Sequence, residues 1–287
     1  MQYSVETITP SSQNEMVSFL KEHDNSALFL LSNFENYGAH LTDAPYSGNF
    51  KLIRSKEQVV GVFCLMRNGN LLIETVLQES IFALVFEACH QEPMPLKGAI
   101  GNWNFCKPFW EYLKAKKVIQ KEVFISKEIL YSIDLYKQDF LPQPHVRLLT
   151  EADYIQWKPL RLDYLVEEGF VNDLTEQQLM DQFLAKAKKK IIWGLFVNNT
   201  LVSIADLNAK ALDLGQVGGV YTAPIFRQKG YCKLVMQQLL RDAKEMHKIR
   251  KMIIFTKEHN FPAQKLYSSL GASQVGYFAL LLGDTAD

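Results

Sequence analysis

Apolar residues recur along this chain with two different periods, and the switches between them give an order of elements. Between Ser12 and Glu22 the apolar positions Met16, Phe19 and Leu20 fall at helical spacing, and a second apolar segment, Ala27 to Leu31, leads into Ser32 to Asn36. Three runs follow, Phe50–Arg54, Val59–Leu65 and Leu71–Val76, with Asn68-Gly69-Asn70 turning between the last two. They predict successive strands. Helices are predicted over Ile81–His90 and Phe105–Lys116, with a short strand near Lys97–Ile100 between them and a last strand over Val123–Leu135.

Pro142-Gln143-Pro144 punctuates the chain, and after it much the same order begins again. Val146–Leu149 predicts a strand, and Glu151–Glu168 and Thr175–Lys189 predict helices. Ile191–Val197 and Leu201–Leu207 predict a hairpin around Asn198-Asn199-Thr200. Gln216–Thr222 is a further strand, and Leu234, Val235, Leu239 and Leu240 mark an amphipathic helix. Met252–Thr256 is a buried strand and Pro262 opens a last helix that Gly271 stops. With 287 residues, this repetition predicts two α/β domains, 1–141 and 142–287.

The stretch Gly215–Leu240 is where chemistry enters. Pro224 stops the strand ladder, and Arg227, Gln228, Lys229, Gly230, Tyr231, Cys232 and Lys233 carry the chain into the helix. A helix N-terminus presents unpaired N–H groups and about half a positive charge, glycine permits close backbone approach, and Arg227, Lys229 and Lys233 add full charges. The turn reads as a pyrophosphate cradle. It is neither a GxxxxGK loop nor a GxGxxG fingerprint.

Arg227, Gly230 and Cys232 stand where the acetyl-CoA loop of the GNAT superfamily of N-acetyltransferases has Gln or Arg, Gly, and Gly or Ala, so the turn resembles that loop. Downstream, Asn260-Phe-Pro-Ala-Gln-Lys-Leu-Tyr267-Ser-Ser-Leu-Gly271 is similar to a second GNAT signature, usually closed by Phe and here followed by Ala272. The resemblance implies mixed, mostly antiparallel sheets flanked by helices, in two tandem GNAT-like domains of which the first is degenerate. In that first half Leu77-Gln78-Glu79-Ser80 stands where the cradle would be, with an acidic residue and no glycine.

What the resemblance further implies is acetyl-CoA as acyl donor and a primary amine as acceptor: a small metabolite, an amino acid or a protein lysine. The segment Val220, Tyr221 and Thr222 would line the pantetheine arm, with Val220 and Thr222 bonding it through their backbone as an added strand does. Residues Gln228 to Lys233 would hold the diphosphate and Asn260 would orient the arm. Tyr267 would be the general acid, and the Val220 N–H would polarise the carbonyl. For the general base, Glu167, Glu168, Asp206 and Glu258 are open, with Glu168 favoured and a base acting through water equally open; taken singly, each of the four reads as a solvated surface carboxylate. The alternative is a non-catalytic acyl-CoA-binding regulatory protein.

Composition narrows the partners. Lys plus Arg and Asp plus Glu both number 31, which argues against nucleic acid or an anionic membrane as main partner. No apolar run is long enough to span a bilayer, and the first sixteen residues lack the order of a secretion signal, so a cytoplasmic location is expected. Cys64, Cys89, Cys106 and Cys232 lack CxxC spacing and the histidines are scattered, so free thiols and no metal are expected. A tandem chain can supply its own partner domain, which favours a monomer over a homodimer. Two features are given structural readings: the run Lys186–Lys190 as a solvated helix end, and Trp103, Phe105, Phe109 and Trp110 as a packed satellite core. Cys232, though at a helix N-terminus, has no histidine nearby in sequence to make it a nucleophile.

Overall fold

The computed structural model describes residues 2–169 and 174–285. In chain order the first half runs β1 (Tyr3–Thr7), α1 (Gln13–Glu22), α2 (Leu28–Tyr37), β2 (Gly48–Ser55), β3 (Gln58–Met66), β4 (Asn70–Thr75), α3 (Phe82–His90), β5 (Gly98–Asn102), α4 (Trp103–Ala115) and β6 (Ile119–Asp134). The second half runs β7 (Val146–Leu148), α5 (Tyr154–Glu168), α6 (Glu176–Lys188), β8 (Ile192–Val197), β9 (Thr200–Ala211), β10 (Leu214–Thr222), α7 (Tyr231–Glu245), β11 (Lys251–Lys257), α8 (Phe261–Ser269) and β12 (Ser273–Thr285).

Two compact units result, and their limits do not coincide with Pro142. The first holds the chain up to Tyr131 together with Phe255–Phe261 and the segment from Gln274 on; the second holds Ser132–Ile254 and Pro262–Ser273. In the first unit the strand order is β1-β2-β3-β4-β5-β12-β6. Strands β1 to β4 pair antiparallel, β4 pairs with β5 in parallel, and β12 pairs antiparallel with β5 from Phe278↔Asn102 to Leu282↔Gly98. The last strand of the chain is therefore an interior strand of the first unit's sheet.

Strands β1 and β12 add to the elements expected from the apolar pattern. Tyr3–Thr7 lies on the sheet edge in full register with β2, and its polar composition suits an edge. Strand β6 starts four residues earlier than its apolar pattern, because Gln120–Val123 are exposed and carry no apolar face. Helix α4 starts at Trp103 rather than Phe105 because the Asn102 side chain accepts the Asn104 N–H at 2.9 Å and caps it. Phe105, Phe109 and Trp110 are not in a satellite: they belong to the unit's main core with Phe63, Phe82, Val85 and Leu281.

In the second unit the order is β11-β10-β9-β8-β7, with β10 and β11 parallel and the rest antiparallel. Helices α5 and α6 bury Tyr154, Trp157 and Phe183 with Ile192, Ile204 and Tyr221 of the sheet; the Trp157 and Phe183 rings lie 4.7 Å apart. Trp193, of opposite parity to Ile192, reaches instead to α7, where its Nε1 donates to Asp242 Oδ2 at 2.8 Å. Val235, Leu239 and Leu240 of α7 are buried, as their helical spacing predicts, and so is Met236, while Leu234 is half-buried.

The entry to α5 is fixed by charge. Asp153 closes a capping box with Thr150 and accepts two bonds from Arg147, each 2.7 Å. The Arg147 guanidinium foremost, with the Thr150 bonds, holds its carboxyl down at about 2, against the cost of burial. That stabilisation is present above the ordinary carboxylate range and is lost as pH falls towards 2. Asp153→Asn should therefore lower stability at pH 7 by about 1–2 kcal/mol, discounted for the half-exposed arginine, with a smaller gap at pH 3 by urea unfolding.

Candidate active site

Strand β10 carries the irregularity on which the site is built. Gly218 faces Asp206 of β9, but the next paired residue is Tyr221, opposite Ile204, so Gly219 and Val220 together face Ala205 alone. This is a bulge, and it re-aims the backbone at Val220. Gly219 has φ +57°, and a Cβ there would lie 3.0 Å from Asp206 Oδ2. Glycine is needed for both the conformation and the room. The parallel register of β10 with β11 runs from Leu214↔Lys251 to Val217↔Ile254, so the bulge follows directly where that register ends.

After Thr222 a short 3-10 turn, Pro224–Phe226, hands the chain to Gly230, which caps α7 at φ +79°. A Cβ at Gly230 would meet nothing within 4 Å, so glycine serves the left-handed conformation and the space in front of the helix stays open. Gln228, Lys229 and Gly230 are exposed, while Tyr231, Cys232 and Lys233 are half-buried at the start of the helix. The Tyr231 and Cys232 N–H groups at the start of α7 have no acceptor within the helix, whereas the Lys233 N–H already donates to the Gly230 carbonyl at 3.0 Å.

Arg227 does not extend freely beside them. Its Nε donates to the Thr222 carbonyl at 2.9 Å, its guanidinium pairs with Glu167 at 2.6 Å, and it lies over the Tyr221 ring. The bond with Glu167 is the main cause that raises its pKa further. Arg227 thus ties the turn to the end of α5, and Lys229 and Lys233 remain as the cradle's own cations. The Cys232 thiol is pushed up to about 11 by burial, with Thr222 and Arg227 pulling partly back. A thiol of that kind is no nucleophile at neutral pH.

The four carboxylates separate. Glu167 is engaged by Arg227, and Glu258 lies in the first unit, where Lys127 pairs with it at 2.7 Å. Glu168 lies close enough to Tyr164, one turn before it on α5, to help raise that phenol's pKa. Burial is the largest cause of the rise; Asp206 adds to it, and the Gly219 backbone, by hydrogen bonding, opposes it. Glu168, Tyr164, Gly219 and Asp206 thus gather at the bulge. Asp206, expected to be a solvated carboxylate, is only 3 % exposed, and Lys186, expected at a solvated helix end, reaches in to pair with its Oδ2.

Asn260 belongs to the returning segment of the first unit, with its backbone N–H on the Lys257 carbonyl at 3.0 Å, immediately before α8. Tyr267 is in the second unit and buried on α8, and Gly271 ends that helix with φ +87°. Sequence reasoning missed Tyr164 altogether. Its one signal was its place a turn before Glu168, which helical spacing alone sets. Among the described residues no group of three or more His, Cys, Asp or Glu could hold a metal ion, and no helix is long and apolar enough to cross a membrane.

Residues 151–272, which contain the bulge, the cradle and Tyr267, match the family model described as the acetyltransferase (GNAT) family. This segment is similar to a GNAT domain. Solved structures similar to the whole chain include a Drosophila protein at 12% identity, TM-score 0.68, covering 98% of this chain and 99% of its own. A GNAT-family acetyltransferase from Colwellia psychrerythraea aligns at 16% identity, TM-score 0.56, over 98% and 100% of the two chains. A tandem GNAT protein from the clavulanic acid biosynthesis pathway aligns at 11%, TM-score 0.52, over 100% and 99%. No curated protein matches. At such identities the structures speak for the fold: two GNAT-like domains, each a mixed, mostly antiparallel sheet flanked by helices. The GNAT match itself supports acyl transfer from an acyl-CoA.

Proposed function

We propose that this protein transfers an acetyl group from acetyl-CoA directly to a primary amine. The observation that carries this reading is the bulge at Gly219 and Val220 leading, within one strand-turn-helix, to the left-handed Gly230 and the open N-terminus of α7. Residues 142–287 are the catalytic domain in this reading, and 1–141 form a domain of the same fold without the chemistry. Two features of the first half support that assignment: Glu79 sits in the 3-10 turn after β4, and Glu74 is buried at the end of that strand.

The donor supplies an activated acetyl carbonyl, and the chain's residues do the rest. Backbone N–H groups from Gln228 to Lys233 hold the diphosphate, helped by Lys229 and Lys233. Val220, Tyr221 and Thr222 line the pantetheine arm. The Val220 N–H donates to the carbonyl oxygen as charge develops there. Glu168, acting through water, takes one proton from the acceptor's ammonium group. The freed amine then bonds to the carbonyl carbon as the carbon–sulfur bond breaks. Tyr267 gives its phenolic proton to the departing sulfur and recovers one from the new amide nitrogen.

The melting temperature with and without saturating acetyl-CoA tests the reading. Ligand at a hundred times its dissociation constant should stabilise the native state by about 2.7 kcal/mol. Lys229→Glu is the informative control, because Lys229 is exposed and lies over the Phe226 ring, whereas Arg227 also holds the turn together. A shift in wild type that shrinks in Lys229→Glu, together with amine-dependent release of CoA, is expected. No shift with acetyl-CoA in either protein overturns the reading.

A further inference from the structure

Asp206 Oδ1 is a buried carboxylate oxygen without a hydrogen-bond partner among the described residues. The other oxygen, Oδ2, is taken by Lys186 of α6. An ionised carboxylate is an acceptor only, so what Oδ1 lacks is a donor. Burying such an oxygen unpaired is unfavourable unless something completes it. Around it stand Lys186 from α6, Tyr164 from α5, whose pKa Asp206 helps raise, and the glycines Gly218 and Gly219 of β10, with the Asn208 side chain beside Gly218.

Its position gives the missing donor a meaning. The carboxylate lies against the bulge on the side that a Gly219 side chain would fill, at 3.0 Å from Oδ2 and 3.4 Å from Oδ1. Val220, whose N–H would meet the thioester carbonyl, is the next residue. Of the four acidic residues weighed from sequence, Asp206 alone is buried. We propose that Asp206 Oδ1 is the ammonium subsite of the acceptor pocket, accepting a hydrogen bond from the cationic amine and holding its nitrogen beside the bulge. The acceptor class is then a free aliphatic ammonium compound, charged at neutral pH as a lysine side chain is. The inference rests on the acetyl-transfer reading, with Glu168 still removing the proton after Asp206 has placed the nitrogen.

The test uses n-propylammonium chloride as probe, with n-propanol as its uncharged isostere and sodium chloride matching ionic strength. Melting temperature is followed in wild type, Asp206→Asn, Lys186→Met and the double variant, each with and without CoA. Wild type is expected to show a saturable rise with propylammonium and none with propanol. Half-saturation should weaken at least tenfold in Asp206→Asn and tighten in Lys186→Met, where the carboxylate loses its competing cation. If a single variant fails to fold, the double variant, which buries no unpaired charge, carries the comparison with wild type. Unchanged half-saturation in the double variant, or no response in wild type, overturns the proposal and leaves Asp206 and Lys186 as a structural ion pair. The CoA-induced shift reports separately on the acyl-CoA reading: its loss with the ammonium response intact would sink that reading and leave the subsite.

Discussion

Tyr267→Phe should lower turnover by about 10²–10⁴-fold while leaving the acetyl-CoA-induced melting shift and the Michaelis constant for acetyl-CoA close to wild type. The substitution removes one hydroxyl from a residue that is only 5 % exposed and keeps the ring that packs α8, so the fold should tolerate it. The expected pattern is specific to a proton needed only as the carbon–sulfur bond breaks. An interaction made in the transition state alone lowers kcat and kcat/KM together. Were the hydroxyl a binding contact for the donor, the melting shift would shrink instead. Full turnover in a folded Tyr267→Phe protein would falsify the general-acid assignment. The same assay decides the non-catalytic alternative, since a protein that shifts with acetyl-CoA and turns over no amine is a binder.

Glu74→Gln should stabilise the protein by about 3 kcal/mol at pH 8 and by far less at pH 5. Glu74 ends β4 in the first unit, is only 3 % exposed, and its Oε2 has no hydrogen-bond partner among the described residues. Burial pushes its carboxyl from 4.5 up to about 7, and the Ser26 hydrogen bond and the nearby His23 pull back only in part. The sign follows from linkage: between those two values the folded state holds more protons than the unfolded one, so wild-type stability falls as pH rises from about 4.5 to about 7 and is flat above. Glutamine has nearly the same shape and no charge to bury, and it escapes that loss. Urea unfolding of both proteins at pH 5, 6.5 and 8 measures the gap, and curves that stay parallel across the range would contradict the buried, raised carboxyl.

Much of the site was legible because its parts are local. A left-handed glycine before a helix, cations around it, a proline at the first turn of α8 and a glycine at its end are short-range choices of backbone conformation, and residues within a few positions determine them. The two successions of strands and helices followed from apolar period for the same reason, and with them the two-domain α/β fold. The amphipathic face of α7 came out as its spacing requires.

Tertiary structure decided what depends on a distant partner. Strand β12 takes an interior place in the first unit's sheet, and nothing local to Ser273–Thr285 says which sheet will offer it an edge, since an apolar alternation fits any exposed strand of suitable register. Arg227 was read as a phosphate cation, but Glu167, sixty residues earlier in the chain, takes its guanidinium. Asp206 and Lys186 were each read as solvated because exposure is the usual state of isolated charges. Here α6 brings a half-buried Lys186 against the buried Asp206 of β9, beside the bulge. Sequence by itself determined where the chain turns and where a left-handed glycine opens α7. Burial and pairing, which set the charge state of an ionisable residue, came from strands and helices far apart in the chain, because electrostatic free energy depends on the full surroundings of a group and not on its neighbours in sequence.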